Sequence, residues 1–202
     1  MGSREPTPAF ATAKLDLARI KPGEVFGRIY HQRFPDPLGY GKTPSRFSDP
    51  RRRIATNRFG VLYLGSSLRV CFLEAVLRDE RDGVVGDYLM DERELDSRLY
   101  AEIEVATELK LLDLRNGHSI RMGIPTDVVR GSKQGLARRW SVAVHAHPEQ
   151  VDGLIYPSRL NGETNLALYD RAILKLTSTR TTVLKRASGL AAALGEFEVA
   201  LV

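Results

Sequence analysis

Hydrophobic and polar positions alternate over residues 25–33, which predicts a strand with Phe26, Arg28 and Tyr30 on one face and Val25 and Ile29 on the other. An arginine therefore shares a face with two aromatic rings. Pro35, Pro37, Pro44 and Pro50 interrupt any period between residues 34 and 58 and predict a long irregular loop, a segment type that commonly carries function inside a compact domain. Residues 59–65, Phe-Gly-Val-Leu-Tyr-Leu-Gly, read as a short strand running straight into a helix from Leu68 to about Asp79, with Ser66 or Ser67 as its cap. Alternation at Leu99, Ala101, Ile103 and Val105 predicts a further strand, followed by one over residues 109–114, both half exposed. Thr126 is placed to cap a short helical turn. Leu136, Trp140, Ala143, Val144 and His147 recur at helical spacing until Pro148, with Trp140 as a core residue. Residues 153–157 read as a buried strand paired with residues 165–169 across a loop at Gly162, and late strands near 181–185 and 197–201 flank an alanine-rich helix over 190–194. Strands outnumber helices without alternating with them, which favours an α+β fold with a mainly antiparallel sheet core and flanking helices.

Residues 1–23 show no sustained period and read as a loosely ordered N-terminal arm, leaving 24–202 as a single domain. A hydrophobic fraction of 43% with 27% charged residues excludes disordered and fibrous classes. No apolar run approaches the roughly 18 residues of a spanning helix and no signal-peptide core is present, so no membrane partner and a cytoplasmic location are expected. Pro6 stands where a myristoylation motif at Gly2 would need Ser or Thr. The single cysteine, Cys71, sits in an apolar run as a small core residue and suits a reducing compartment. His145 and His147, two residues apart, cannot share a helical face, so no metal site and no bound cofactor are expected. The net charge of +5 is unevenly spread: residues 1–60 hold twelve Lys and Arg against five Asp and Glu, and the rest of the chain is net negative. That asymmetry points to an anionic ligand near the N-terminal third, either nucleic acid or a phosphorylated small molecule.

Glu74 is the first candidate for chemistry, because nearly every direction around its helix is apolar and, among its neighbours one turn away, only Arg78 is charged. Such a carboxylate is either paired with Arg78 at the surface or functional. Arg28 on its strand face and Arg46 in the Pro/Ser-rich loop suit bidentate phosphate recognition. Arg51, Arg52 and Arg53 read as a solvated turn. Ser158, where a strand ends after Pro157, serves a turn or a ligand, and Tyr63 serves core packing or a platform for a flat ring. There is no Gly-rich phosphate loop, no Gly-x-Ser-x-Gly elbow and no recognisable nucleic-acid module.

Together, Gly-Arg-Ile-Tyr (27–30), Ser-Arg-Phe-Ser-Asp-Pro (45–50), Leu-Tyr-Leu-Gly-Ser-Ser (62–67), Leu-Glu (73–74), Gly-Leu-Ile-Tyr-Pro-Ser (153–158) and the following Asn165-Leu-Ala-Leu resemble the RES-domain family, toxins of bacterial RES/Xre type II toxin–antitoxin pairs. The resemblance covers about residues 24–186. It implies a fold similar to diphtheria-toxin-like ADP-ribosyltransferases and an enzyme that depletes NAD by cleaving the nicotinamide–ribose bond, as an NAD phosphorylase or glycohydrolase. NAD is then a substrate, with inorganic phosphate as a candidate co-substrate, and the acceptor is phosphate, water or a protein. It implies Arg28, Arg46 and Glu74 as catalytic residues, with Arg28, Arg46, Tyr63 and Ser158 binding NAD. It also implies a helix-turn-helix, Xre-type antitoxin partner, through which alone nucleic acid would be met. One departure is visible: the family's usual Gly-Arg-Trp-Asn-Pro is here Ser45-Arg46-Phe47-Ser48, with Pro50 one place later. Two other readings follow from the same residues: protein ADP-ribosylation, with the same chemistry on a macromolecular acceptor, and a basic nucleic-acid-binding or ribonuclease-type toxin.

Overall fold

Short apolar runs build most of the strands, and the computed structural model describes residues 4–51, 54–78 and 80–202. In chain order the elements are β1 (Leu17–Ile20), β2 (Val25–His31), β3 (Val61–Gly65), α1 (Leu68–Phe72) continued by a π turn (Leu73–Leu77), β4 (Tyr88–Met90), α2 (Glu92–Asp96), β5 (Arg98–Val105) and β6 (Leu109–Asp113). They continue with α3 (His118–Arg121), α4 (Asp127–Arg130), α5 (Gly135–Ala146), β7 (Gly153–Pro157), β8 (Thr164–Tyr169), β9 (Leu176–Val183), α6 (Leu190–Glu196) and β10 (Val199–Leu201). Arg52, Arg53, Asp79 and Gly2, which figured in the sequence reading, lie outside the described residues.

Eight strands form one sheet in the order β1-β6-β7-β8-β3-β2-β5-β9, antiparallel except at β6 and β7. A separate pair, β4 with β10, is parallel. The inner face buries Phe26, Leu62, Leu64, Ile103, Leu111, Ile155 and Leu166 against one another, and strands supply almost all of this cluster. A cluster made by one sheet alone means that the sheet curls around its own side chains. The opposite face packs under α4, α5 and the N-terminal turn through Val128, Trp140, Val144 and Phe10, while α1, α2 and α6 cover Ile29. The fold is α+β with a curled, mainly antiparallel sheet.

Several local expectations change. Leu17–Ile20, read as part of a loose arm, pairs in register with residues 109–112 of β6. Ahead of it, Trp140 Nε1 donates to the Arg4 carbonyl at 2.9 Å, Glu5 meets Arg139, and Phe10 stacks edge-on with Trp140. A four-residue strand whose partner lies about ninety residues away leaves no local period to read. β6 is buried rather than half exposed because it lies inside the sheet beside parallel β7, and parallel pairs are covered on both faces. β9 begins five residues before its expected start because its Thr- and Ser-rich sequence is that of an exposed sheet edge. Thr126 makes no side-chain cap, whereas Ser67 accepts from Val70 N at 3.1 Å as expected of a helix N-cap.

β2 and β3 pair at a single position, Gly27 opposite Gly65. Beyond it the strands diverge, and Gly41 of the long loop takes both backbone bonds of Val61 instead. Between these two points Tyr63 has no strand residue opposite it on that side among the described residues. Both glycines sit at crowded positions. A Cβ on Gly27 would lie 2.7 Å from the Tyr100 hydroxyl, and one on Gly65 would lie 2.6 Å from Val70 Cγ1 and 2.7 Å from Cys71 Sγ. Only glycine lets α1 cross directly over the end of β3.

Candidate active site

The opening between β2 and β3 leads into a cavity of about 220 Å³ whose lining includes Arg28, Arg46, Tyr63 and Glu74. Ser158 touches it through Glu74. The five residues singled out from sequence, spread over 130 positions, are thus brought together at one place.

Glu74 sits in the π turn rather than in a continuous α-helix over 68–79. The wider turn changes the direction in which its residues project, and π turns inside helices are frequent at functional sites. The expected alternative, a surface pair with Arg78, is not what holds it. Ser158 Oγ donates to Glu74 Oε1 at 2.8 Å, and Asn165 Nδ2 donates to the same oxygen at 3.1 Å. The serine hydroxyl also accepts from Leu160 N at 3.1 Å, so its single proton is directed to the carboxylate. A tight loop sets this arrangement: Ser158 N donates to Glu163 O, Gly162 N donates to Ser158 O, and Gly162 adopts φ +78°, the left-handed conformation glycine tolerates. Oε1 therefore carries both protein donors, and among the described residues Oε2 receives none.

The two arginines are held by backbone carbonyls. Arg28 donates to Pro37 O at 2.5 Å and lies over the Tyr30 ring, 5.1 Å from its centroid. Arg46, 6% exposed, donates to Gly131 O at 2.8 Å. Burial lowers the pKa of both, partly opposed by Tyr30 and Asp36 at Arg28 and by Tyr156 and Glu74 at Arg46, where Arg78 and Arg159 add to the lowering. Guanidinium remains charged throughout the physiological range, so each is a fixed and poorly hydrated cation.

The altered 45–50 segment is pinned from both sides despite its departure from the family pattern. Phe47 N donates to Tyr63 Oη at 2.9 Å, Ser45 Oγ lies 2.9 Å from the same oxygen, Arg138 Nε donates to Ser45 O at 2.8 Å, and Ser141 Oγ donates to Phe47 O at 2.7 Å. Asp49 is buried and takes a forked pair from Arg51. Burial alone would raise the Asp49 pKa, but the Arg51 guanidinium and backbone N–H bonds bring it below the usual carboxylate range. Tyr63 is the crosspiece that ties this loop to β3, with its hydroxyl occupied and its pKa pushed up by burial. It lines the cavity as well as packing against the core. Cys71 also lines the cavity, but burial pushes its thiol up to about 12, which fits a core residue rather than a nucleophile.

Four of the lining residues that were not singled out carry polar groups into the site beside those already described. Arg78 had registered only as the neighbour of Glu74; Arg159 follows Ser158 directly; Tyr156 is buried near the end of β7; and Asn165 is the one amide in an otherwise apolar run. Asn165 carried the clearest signal, since an amide in a buried strand needs partners. Around the cavity stand four guanidinium groups and one carboxylate, counting the described lining residues. A lining of this composition suits an anionic ligand. Among the described residues no cluster of His, Cys, Asp and Glu could hold a metal ion, and no helix is long and apolar enough to cross a membrane.

Comparison with known proteins gives three findings. The RES domain model matches residues 17–185. "Probable toxin y4kH" of Sinorhizobium fredii (strain NGR234) is 43% identical over 100 residues, which is 50% of this chain and 79% of that protein. The fold is similar to a chain of the crystal structure of the M. tuberculosis MbcT–MbcA toxin–antitoxin complex, with a TM-score of 0.59 and 18% identity, covering 81% of this chain and 85% of that one.

Proposed function

Because the chain belongs to the RES domain family, we propose that it is the toxin of a toxin–antitoxin pair and that it destroys NAD by breaking the nicotinamide–ribose bond. The observation that carries this reading is the convergence of Arg28, Arg46 and a Glu74 fixed by Ser158 and Asn165 on one cavity. NAD presents a doubly anionic pyrophosphate and a cationic pyridinium, and each finds an answer here. Arg28 and Arg46 offer forked donors to the phosphate on the nicotinamide side. Tyr63 offers its ring to the nicotinamide.

As the bond between ribose C1′ and the nicotinamide nitrogen breaks, its electron pair leaves with neutral nicotinamide and positive charge develops on the ribose. Glu74 stabilises that charge, with Oε1 locked by its two donors and Oε2 directed to the sugar. The acceptor oxygen then bonds to C1′. A phosphate acceptor gives a ribosyl phosphate, and a water acceptor gives ADP-ribose and a proton, which Glu74 can take. The surplus of guanidinium over carboxylate favours phosphate. The expected partner is an Xre-type antitoxin that closes the cavity mouth, and any contact with nucleic acid runs through it.

Incubating purified protein with NAD and resolving the products tests this reading. Nicotinamide is expected to appear in step with NAD loss, faster when phosphate is added, and Glu74→Gln is expected to lower turnover by about 10²–10³. Intact NAD after incubation with the wild-type protein refutes it. Adenine label that becomes acid-precipitable would redirect it to protein ADP-ribosylation.

A further inference from the structure

The cavity at Glu74 is smaller than the roughly 300–1,000 Å³ that encloses a drug-sized ligand, so a dinucleotide seated there must extend out of it. A second depression of about 420 Å³ adjoins it, and Arg78 lines both. The same two segments build the two spaces. The helical segment turns Glu74 and Ala75 towards the first and Leu73 and Leu77 towards the second, while the loop after β7 gives Arg159 to the first and Leu160 and Asn161 to the second.

The far wall of the second depression is Glu196, Phe197 and Glu198. These residues lie beyond residue 185, where the family match ends. The wall is fastened to the body of the protein. Arg81 donates to the carbonyls of Phe197, Glu198 and Gly86, and Arg69 pairs with Glu196 at 2.5 Å. The groove thus has apolar sides at Leu73, Leu77, Leu160 and Phe197, and carboxylates at Asp82, Glu196 and Glu198, of which Glu196 is paired with Arg69 and Glu198 lies 3.7 Å from the lining Arg81.

We infer that this groove holds the adenosine half of the dinucleotide, a proposal that rests on the functional reading above. Charge decides in its favour. A dinucleotide carries its negative charge in the middle, with a nucleoside on either side, and here a guanidinium stands at the junction between the two spaces. In the outer space Arg81 is already engaged by three backbone carbonyls and Glu198, so it offers a pyrophosphate little, yet the space matches a purine: apolar walls for the ring, and acceptors for the exocyclic amine and the ribose hydroxyls. Arg78 at the junction then meets the phosphate on the adenosine side.

The test compares NAD with nicotinamide mononucleotide, which has the scissile bond but lacks the adenylate half. Wild type is expected to prefer NAD, and Leu160→Ala and Phe197→Ala are each expected to lower the ratio of kcat/KM for NAD to that for the mononucleotide by about tenfold, mainly through KM for NAD. Leu160 is at the surface, so its variant remains informative if Phe197→Ala fails to fold. An unchanged ratio in Leu160→Ala overturns the inference even if NAD is cleaved. AMP binding, measured by calorimetry on wild type and Leu160→Ala, separates the two readings. Binding that weakens about tenfold in the variant supports the groove whether or not NAD is consumed, and no AMP binding to wild type overturns it.

Discussion

Replacing Ser158 by Ala removes one of the two donors to Glu74 Oε1 and leaves the 3.1 Å bond from Asn165. A hydrogen bond to a charged group contributes about 1.5–3 kcal/mol, and each 1.36 kcal/mol on a barrier is tenfold in rate. If the bond serves to hold the carboxylate against the developing positive charge, Ser158→Ala should lower kcat by roughly 10- to 100-fold with little change in KM. Asn165→Ala should cost less, because its bond is the longer. The decisive measurement is the cycle with Glu74→Gln, following nicotinamide release from NAD for both single variants and the double variant. Two residues acting through one carboxylate are not additive. Once Glu74 is neutral, adding Ser158→Ala should cost under about threefold. A full 10- to 100-fold loss from Ser158→Ala in the Glu74→Gln background would refute the reasoning, since the serine would then act on substrate directly, as would wild-type kcat in Ser158→Ala alone. Thermal melting of each variant controls for unfolding.

Gly65→Ala forces α1 off the end of β3, so a loss of about 1–3 kcal/mol in stability is expected, read as a melting temperature several degrees lower, with activity falling alongside it. His145 stacks on Phe59 at 4.3 Å, and burial first, then Arg171, lower its pKa to about 4 from 6.5. The native state therefore resists protonation that the unfolded chain accepts, and stability from this group falls as pH drops from 6.5 towards 4. His145→Phe keeps the stack and should flatten that part of a melting-temperature profile; an unchanged slope would contradict it. Asp49 has the carboxylate sign. Its lowered pKa gives stability above the unfolded-state value that is lost as pH falls through the folded one, so Asp49→Asn should remove part of the acid sensitivity of unfolding midpoints. Chelators should leave NAD cleavage unchanged, and inhibition by EDTA that added metal reverses would count against the proposed chemistry.

Much of the site was legible because its residues conflict with their surroundings. Glu74 on an apolar helix and Arg28 among aromatics are local anomalies that a single sequence displays. β5 was legible for the opposite reason, since its alternation agrees with burial, and β7 because its short apolar run is buried almost throughout. What escaped notice depends on distant partners. The π turn at Glu74 has no motif of its own, β1 needs β6 to be a strand, and the inward direction of Arg78 and Arg159 follows from how the π turn and the loop after β7 are set against each other. Asn165 lay between these cases, visible as an anomaly in an apolar run and explained only when Glu74 came within reach.

The single rung joining β2 to β3 also bears on motion. A ladder that thin gives the block β2-β5-β9 few backbone bonds to the rest of the sheet, so the two blocks should exchange their amide hydrogens as separate cooperative units. The subglobal opening of lowest free energy would then be the one that parts Arg28 from Tyr63. Ligand that bridges the two blocks would slow exchange in both at once, making the protein most rigid while it holds substrate.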